Sequence, residues 1–442
     1  MFLQKLVLKN VRSIEELELP FLDADGNTRK WTMLLGENGC GKSTVLRAIA
    51  LLMAGSESLP ELLDNPDSWI RLGKDECLIS ADLVTARGES RHIELILHRG
   101  DKVKEVFERN KDTLEALDRA VEHASRSYLT IGYGVSRRLG GVKSPSPSNE
   151  VFTKTRAQCV GTMFSPDAIL NPLESWAMDL HYRRGSKGLQ LVKQSLSDLL
   201  PGVEFKGIDK KNRQLTFNTA DGEIPLSQLS DGYQNVAGWC GDLLYRVTEI
   251  FADYKNPFDA RGLLLIDELD LHLHPIWKRQ LVSFLNEKLR NFQVIATTHS
   301  ALTVHQAGEG ELFVMRRPKP NSSPELIRYE GAPRNLMLHQ LLLSPLFNLQ
   351  TVDSPVVEAQ KKEFKQLRSK PKSKTSQRDK HRLTELRGEL ADLPDWSTET
   401  PQDRKKIALL EEIQQALQSK TIVSATATKR VAPKRAAKKG RS

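Results

Sequence analysis

Eight consecutive residues, Gly36-Glu37-Asn38-Gly39-Cys40-Gly41-Lys42-Ser43, follow the pattern GxxxxGK[ST]. The chemistry this spacing serves is phosphate binding. Glycines let successive backbone N–H groups turn inward around phosphate oxygens, and a helix starting at the end of the loop adds partial positive charge. A lysine at the seventh position reaches the β- and γ-phosphates, and the hydroxyl after it is a hard oxygen ligand for Mg2+. The flanks agree: strand-like WTMLL (31–35) precedes the loop, and STVLRAIALLMAG (43–55) has helical spacing of Val45, Leu46, Ile49 and Met53. Gly36, Asn38, Gly39, Cys40, Gly41, Lys42, Ser43 and Thr44 are therefore the expected nucleotide contacts. Cys40 reads as a small spacer whose side chain faces away from phosphate.

A second group lies far downstream. In LLLIDELDLHLHP (263–275), Asp267 and Glu268 end a continuously apolar run. Two acids in that position are costly unless something holds them. A phosphate-bound Mg2+ is such a partner for Asp267, and Glu268 can then orient and deprotonate a water. His299 ends another apolar run, FQVIATTHS (292–300), where strand ends of α/β sheets present ligand-contacting groups. It is a candidate to hydrogen-bond a γ-phosphate and the attacking water. His272 and His274 alternate in LHLHP but lack further ligands, so helix capping and packing suit them better than a metal site. The Asp23/Asp25/Asn27 loop lacks the closing Glu of a calcium site and reads as a turn.

The elements that must hold these groups can be traced along the chain. LQKLVLKNV and ELELPF form an opening hairpin, and ECLISADLVT with RHIELILHR forms a second antiparallel pair. Helical segments surround LESWAMDLHY and KGLQLVKQSLSDLL, and strand-like VEFKGI and QLTFNT follow. GLLLID and FQVIATT, apolar at nearly every position, are expected to be central parallel strands covered on both faces. Between them PIWKRQLVSFLNEKL is a helix with Pro275 at its first position. The stretch GGVKSPSPSNE (140–150) reads as a mobile loop. Narrow apolar stripes in QRDKHRLTELRGELADL and QDRKKIALLEEIQQAL suggest a helical hairpin, and the final TATKRVAPKRAAKKGRS has no apolar face and is expected to be disordered alone.

The chain has 442 residues and a formal charge of +9. The excess is confined to its end. Residues 361–442 hold 22 Lys and Arg against 10 Asp and Glu, and the first 360 hold 43 against 46. A basic end of this kind suits weak, salt-dependent, sequence-independent contact with nucleic acid. Four scattered cysteines without a CxxC pair fit a reducing compartment. No apolar run approaches the roughly 18–20 residues that span a bilayer, so a cytoplasmic protein without membrane contact is expected.

Between the two motif groups lies LSDGYQN (229–235), a turn if taken alone. In the order GENGCGKS, LSDGYQ, LLLIDE, LDLHLHP and TTHS, the set resembles the ABC-type ATPases, in the SMC/RecF/OLD-like branch. LVLKNVRSI (6–14) resembles that branch's opening strand, and about 190 residues between Lys42 and Ser230 match its long insertion. Within the branch the chain resembles the compact ATP-binding proteins of bacterial anti-phage systems, of PtuA and retron type. GYGVSRR (132–138) and MFSPDAILNPLESWAMDLHY (163–182) share the likeness more loosely.

The resemblance implies an α/β P-loop NTPase with an ABC-ATPase-like head. Its mixed central sheet is flanked by helices and an antiparallel β subdomain, and a C-terminal helical hairpin and a basic disordered tail follow. The head would span 1–350, with a core lobe from 1–55 and 225–335 and a β/helical insertion at 56–224. A partner-binding helical extension would occupy 351–419, and the tail 420–442. It also implies ATP and Mg2+ as ligands. Ser43 and Asp267 would serve the ion, Glu268 would be the general base, and His299 the switch histidine. Asp270 would sit where a loop crosses between protomers, and Ser230 and Gly232 would touch the γ-phosphate of a second protomer's ATP. Asp231 would point away from phosphate and cap a helix starting at Gly232. A glutamine contacting Mg2+ is also implied; Gln158 is a possible match and stays unassigned. The expected assembly is an ATP-sandwiched homodimer or higher oligomer that regulates a separate effector, of nuclease type, in defence. A DNA-maintenance ATPase is the alternative, and a transporter subunit the least suited.

Overall fold

The computed structural model describes the chain apart from residues 86–87, 125–127, 140–155, 172, 201–202, 210, 213, 221, 252–256, 272, 320–321, 348, 371–375 and 392–442. The strands are β1 (Phe2–Val11), β2 (Ile14–Pro20), β3 (Trp31–Gly36), β4 (Glu76–Val84), β5 (Ser90–His98), β6 (Tyr128–Tyr133), β7 (Arg138–Leu139), β8 (Ile169–Leu170), β9 (Glu204–Asp209), β10 (Gln214–Thr219), β11 (Gly222–Pro225), β12 (Arg261–Ile266), β13 (Phe292–Thr298), β14 (Leu312–Arg316) and β15 (Glu325–Arg328). The helices are α1 (Lys42–Met53), α2 (Leu59–Leu63), α3 (Val103–Arg109), α4 (Lys111–Ala124), α5 (Arg156–Val160), α6 (Leu173–Leu199), α7 (Asp231–Ile250), α8 (Pro275–Lys288), α9 (Ala301–Val304), α10 (Leu338–Leu342), α11 (Pro355–Ser369) and α12 (Gln377–Ala391). They fall into two compact units, Met1–Phe347 and Asn348–Ser442.

The first unit is built on a six-stranded sheet in the order β15-β14-β3-β13-β12-β6. All neighbours run parallel except β15, which pairs antiparallel with β14. GLLLID and FQVIATT are central, as their apolar runs require, with Leu263 to Ile266 fully buried. Strand periodicity sorts their side chains between two cores. Leu263, Leu265, Ile295, Leu34 and Phe313 enter one core, with α1 and the antiparallel sheet β2-β1-β4-β5. Leu264, Ile266, Val294, Ala296 and Leu35 enter the other, with α6, α7 and α8. The mixed sheet, flanking helices and antiparallel subdomain are those the sequence implied.

Several elements differ in detail from the sequence reading. VEFKGI and QLTFNT are β9 and β10, and β11 completes a meander with them. The two helical segments at 173–199 form one helix broken at Gly185, whose φ of 58° leaves the helical region. The hairpin of the second unit joins α11 to α12: Arg382 forks onto Glu363 at 3.1 Å through both Nε and Nη2, and Gln360 meets Glu389 at 2.8 Å. The expected second helix at 402–417, the loop at 140–150 and the basic tail lie outside the described residues.

Gln293 on β13 ties the opening strand β1 to the chain's central layer. Its side-chain amide donates to Leu3 O and its carbonyl accepts from Leu3 N, both at 2.9 Å and buried. Replacing it with leucine strands two buried backbone groups. Gln293→Leu is expected to lower unfolding free energy by about 2–4 kcal/mol, read as a fall in the urea midpoint at unchanged slope.

Candidate functional site

Parallel strands carry their C-terminal ends to one edge, and four such ends meet here. The registers Leu35 with Thr298 and Ile266 with both Ala296 and Tyr133 bring the ends of β3, β13, β12 and β6 level. Each is followed by one of the groups singled out in the sequence.

The loop after β3 has the expected conformation. Gly39 and Gly41 adopt φ of 78° and 96°, the left-handed region that glycine enters without steric cost. Gly36 is required by a close approach, since a Cβ there would lie 2.2 Å from Met315 O. Gly41 caps α1, so the helix begins at Lys42, one residue earlier than the sequence spacing placed it. Cys40 is buried, its Sγ 3.9 Å from Lys42 Nζ. Lys42, 5% exposed, folds back over its own loop and donates to Gly36 O at 2.8 Å and Glu37 O at 2.9 Å. Burial holds its pKa below the ordinary lysine range. Thr44 is buried, Ser43 is half-buried at the helix start, and Asn38 is exposed on the loop. Just past β14, Arg317 donates to Gly39 O at 3.0 Å, a support that no local pattern in the sequence announces.

Asp267 is 3% exposed and continues the β12–β6 ladder through its N–H to Tyr133 O at 2.8 Å. The Thr297 hydroxyl donates to Asp267 Oδ1 and accepts from the Glu268 N–H, both at 2.7 Å. One hydroxyl therefore fixes both acids. Glu268 has φ of 50°, a left-handed conformation that costs an L residue about 1–2 kcal/mol. The turn is braced from below by Arg137, whose Nη2 donates to Asp267 O at 2.6 Å and Glu268 O at 2.8 Å.

His299 stands exposed at the end of β13. Partial burial, then the nearby Lys42 charge, lower its pKa below the usual imidazole range, against the opposing pull of Glu268, Asp270 and Asp267. These mutual influences place Lys42, Glu268, Asp267 and His299 in one electrostatic neighbourhood. Asp270 is buried, with Oδ1 accepting from the Thr298 hydroxyl at 2.6 Å and Oδ2 paired with Lys278 at 3.1 Å. Its carboxylate is thus engaged within its own chain in this conformation. His274 caps α8, its Nδ1 accepting from Ile276 N at 3.4 Å, as a capping role requires; His272 is outside the described residues.

The LSDGYQN stretch starts α7. The helix begins at Asp231, not at Gly232, and Ser230 holds the capping position, so the expected cap by Asp231 is corrected. Ser230 makes no side-chain cap bond and is exposed, and Gly232 is half-buried in the first turn. Gln234 locks the entry by donating to Leu229 O at 2.6 Å and Ser227 O at 3.2 Å, and Tyr233 packs edge-on to Trp277 at 4.3 Å. Gln158 lies in α5.

Of the site residues, sequence reasoning missed Arg137, Thr297 and Arg317. Thr297 carried a signal in the polar TTHS cluster, and Arg137 in the arginines closing GYGVSRR. The electrostatics are directly testable. Burial is the larger cause of the lowered His299 pKa, and Lys42→Ala removes the second, so the His299 pKa is expected to rise part of the way toward the ordinary value in an NMR titration.

Comparisons with known proteins show what the chain is similar to. An AAA-domain family described as "AAA domain, putative AbiEii toxin, Type IV TA system" matches residues 91–304, and a second AAA-domain family matches 5–143. Septu protein PtuA of Bacillus mycoides (strain KBAB4) is 29% identical over 315 residues, 71% of this chain and 40% of that protein. The "Retron Ec83 probable ATPase" of Escherichia coli is 28% identical over 37% of this chain and 30% of its own length. The OLD nuclease of Thermus scotoductus (strain ATCC 700910 / SA-01) is 24% identical over 68% of this chain and 59% of that protein. The matches thus span about a third of the lengths of the first two relatives and rather more of the third. With its P-loop and acidic strand end at one sheet edge, the chain is similar over part of its length to AAA-domain proteins, Septu PtuA and a retron ATPase among them.

Proposed function

We propose that the protein binds MgATP at the shared strand edge and hydrolyses it, with the site completed by the α7 turn of a second copy. The observation that carries this reading is the meeting of Lys42, Asp267, Glu268 and His299 at the level ends of β3, β12 and β13. Lys42 is a buried ammonium whose partners are two loop carbonyls, and phosphate oxygens would offer it anionic ones.

The donor set suits Mg2+. Ser43 and Asp267 supply hard oxygens, one Asp267 oxygen already fixed by Thr297, and Mg2+ takes few protein ligands beside phosphate and water. When bound, the ion would neutralise charge on the β- and γ-phosphates. The chain's own residues do the rest. Glu268, aimed by the left-handed turn, takes the proton of the attacking water, and His299, its pKa lowered by partial burial and the Lys42 charge, hydrogen-bonds the γ-phosphate edge. Ser230, Gly232 and the N-terminus of α7 face the γ-phosphate of the other copy. ATP would then join two heads, and hydrolysis would release them.

The likeness to Septu and retron proteins supports a role in anti-phage defence, in which the closing and opening of the heads regulates a separate effector of nuclease type. Residues 351–419 are the proposed contact for that partner. The charge excess in residues 361–442 favours a second reading, an ATPase that contacts DNA directly without sequence preference. Among the described residues no helix is long and apolar enough to cross a membrane.

Glu268→Gln keeps the shape of the turn and removes the base. With MgATP it is expected to run as a stable dimer on size exclusion, with hydrolysis reduced by about a hundredfold or more. A Glu268→Gln protein that stays monomeric at saturating MgATP would exclude the sandwich.

A further inference from the structure

Arg137 has an arrangement that packing alone does not explain. Its side chain is 7% exposed and reaches three backbone carbonyls: Gly134 O through Nε at 3.1 Å, and Asp267 O and Glu268 O through Nη2 at 2.6 and 2.8 Å. None of the three is a carboxylate oxygen. Its remaining nitrogen, Nη1, is buried and has no hydrogen-bond partner among the described residues. Burial lowers its pKa to about 10, and the neighbouring acids, Asp267 and Glu268 among them, offset part of that cost. A buried cation with one unmade bond is destabilising where its only duty is to fill space, and such groups persist where geometry is at stake.

The geometry at stake is that of the acidic turn. Glu268 sits at φ of 50°, which the chain would relax if its carbonyl were released. Two hydrogens on one nitrogen gather the carbonyls on either side of the Asp267–Glu268 peptide, which a planar fork can do and a flexible ammonium cannot reproduce. The fork is itself fixed from the other side. Trp239 of α7 lies under the guanidinium at 5.3 Å and packs on Tyr133 at 5.5 Å. The Tyr133 hydroxyl donates to Asp242 on α7 at 2.7 Å, and Asp242 also accepts from Arg246 and from Asn171.

We propose that Arg137 is a positioning residue for hydrolysis, which holds the Glu268 carboxylate in line by clamping the backbone of the acidic turn against α7. The inference rests on the ATPase reading above. It assigns Arg137 no contact with nucleotide, so loss of the clamp acts on the chemical step and leaves MgATP binding in place.

The test compares wild type, Arg137→Lys and Arg137→Ala for kcat, for KM, and for the Kd of a fluorescent ATP analogue with Mg2+. Unfolding midpoints are measured in parallel, and Lys42→Ala serves as the binding-deficient control. Arg137→Lys, which keeps the charge and loses the fork, is expected to lower kcat by about a hundredfold with Kd changed by less than about threefold. Millimolar guanidinium is expected to restore part of the rate of Arg137→Ala, and ammonium is not. Arg137→Lys at the wild-type rate would overturn the proposal. So would a Kd that weakens in step with kcat, or a collapse of the unfolding midpoint that accounts for both, since either marks a binding or purely structural role. A wild-type protein that binds but never hydrolyses ATP would remove the ATPase reading, and this proposal with it.

Discussion

Asp267, buried, and Glu268, half-buried, place two neighbouring carboxyl groups at the end of a strand buried from Leu263 to Ile266, a position costly for charge unless partners hold it. Much of the surrounding structure answers that electrostatic demand. The Thr297 hydroxyl donates to one acid and accepts from the backbone of the other, the Arg137 guanidinium lies beneath their carbonyls, and the Lys42 ammonium lies across the edge. Three separate stretches, near 42, near 137 and near 297, therefore converge on one turn. The parallel register of β3, β13, β12 and β6 is what lets them arrive at the same height.

The loop of β3 presents the complementary problem. Lys42 is buried, its ammonium hydrogen-bonded to two loop carbonyls, and phosphate oxygens would give it anionic partners at hydrogen-bond distance. Acids poised for a cation and a lysine poised for an anion make a site that MgATP would relieve on both counts. The α7 turn is different, because Ser230 is exposed and its hydroxyl makes no capping bond among the described residues. In the proposed sandwich, the hydroxyl at the start of this 20-residue helix would meet a ligand brought by another molecule.

Much of this was legible in the sequence because it is local. The P-loop needs glycines at fixed offsets, buried parallel strands need unbroken apolar runs, and Pro275 with His274 marks a helix start. The parts that were not legible depend on distant pairing. YLTIGY is too short and too mixed to announce β6, and it becomes a strand because β12 offers it a parallel edge. Arg137 follows it as one of several arginines, and its role shows only in the tertiary contact with the 267–268 carbonyls. Asp231 shows a finer limit, since Ser230 and Asp231 are both good helix caps and the sequence does not say which one stands outside the first turn.

The central claim is that each ATP site is composite, with a P-loop from one copy and an α7 turn from another. The direct measurement mixes two inactive variants, Lys42→Ala and Ser230→Arg, and follows ATP hydrolysis. In a mixed dimer one site carries both lesions and the other carries neither. Equal mixing is expected to recover about a quarter of the wild-type rate, because half of the dimers are mixed and each has one intact site of two. A mixture as inactive as its parents, or a Ser230→Arg protein with full activity alone, would contradict the account.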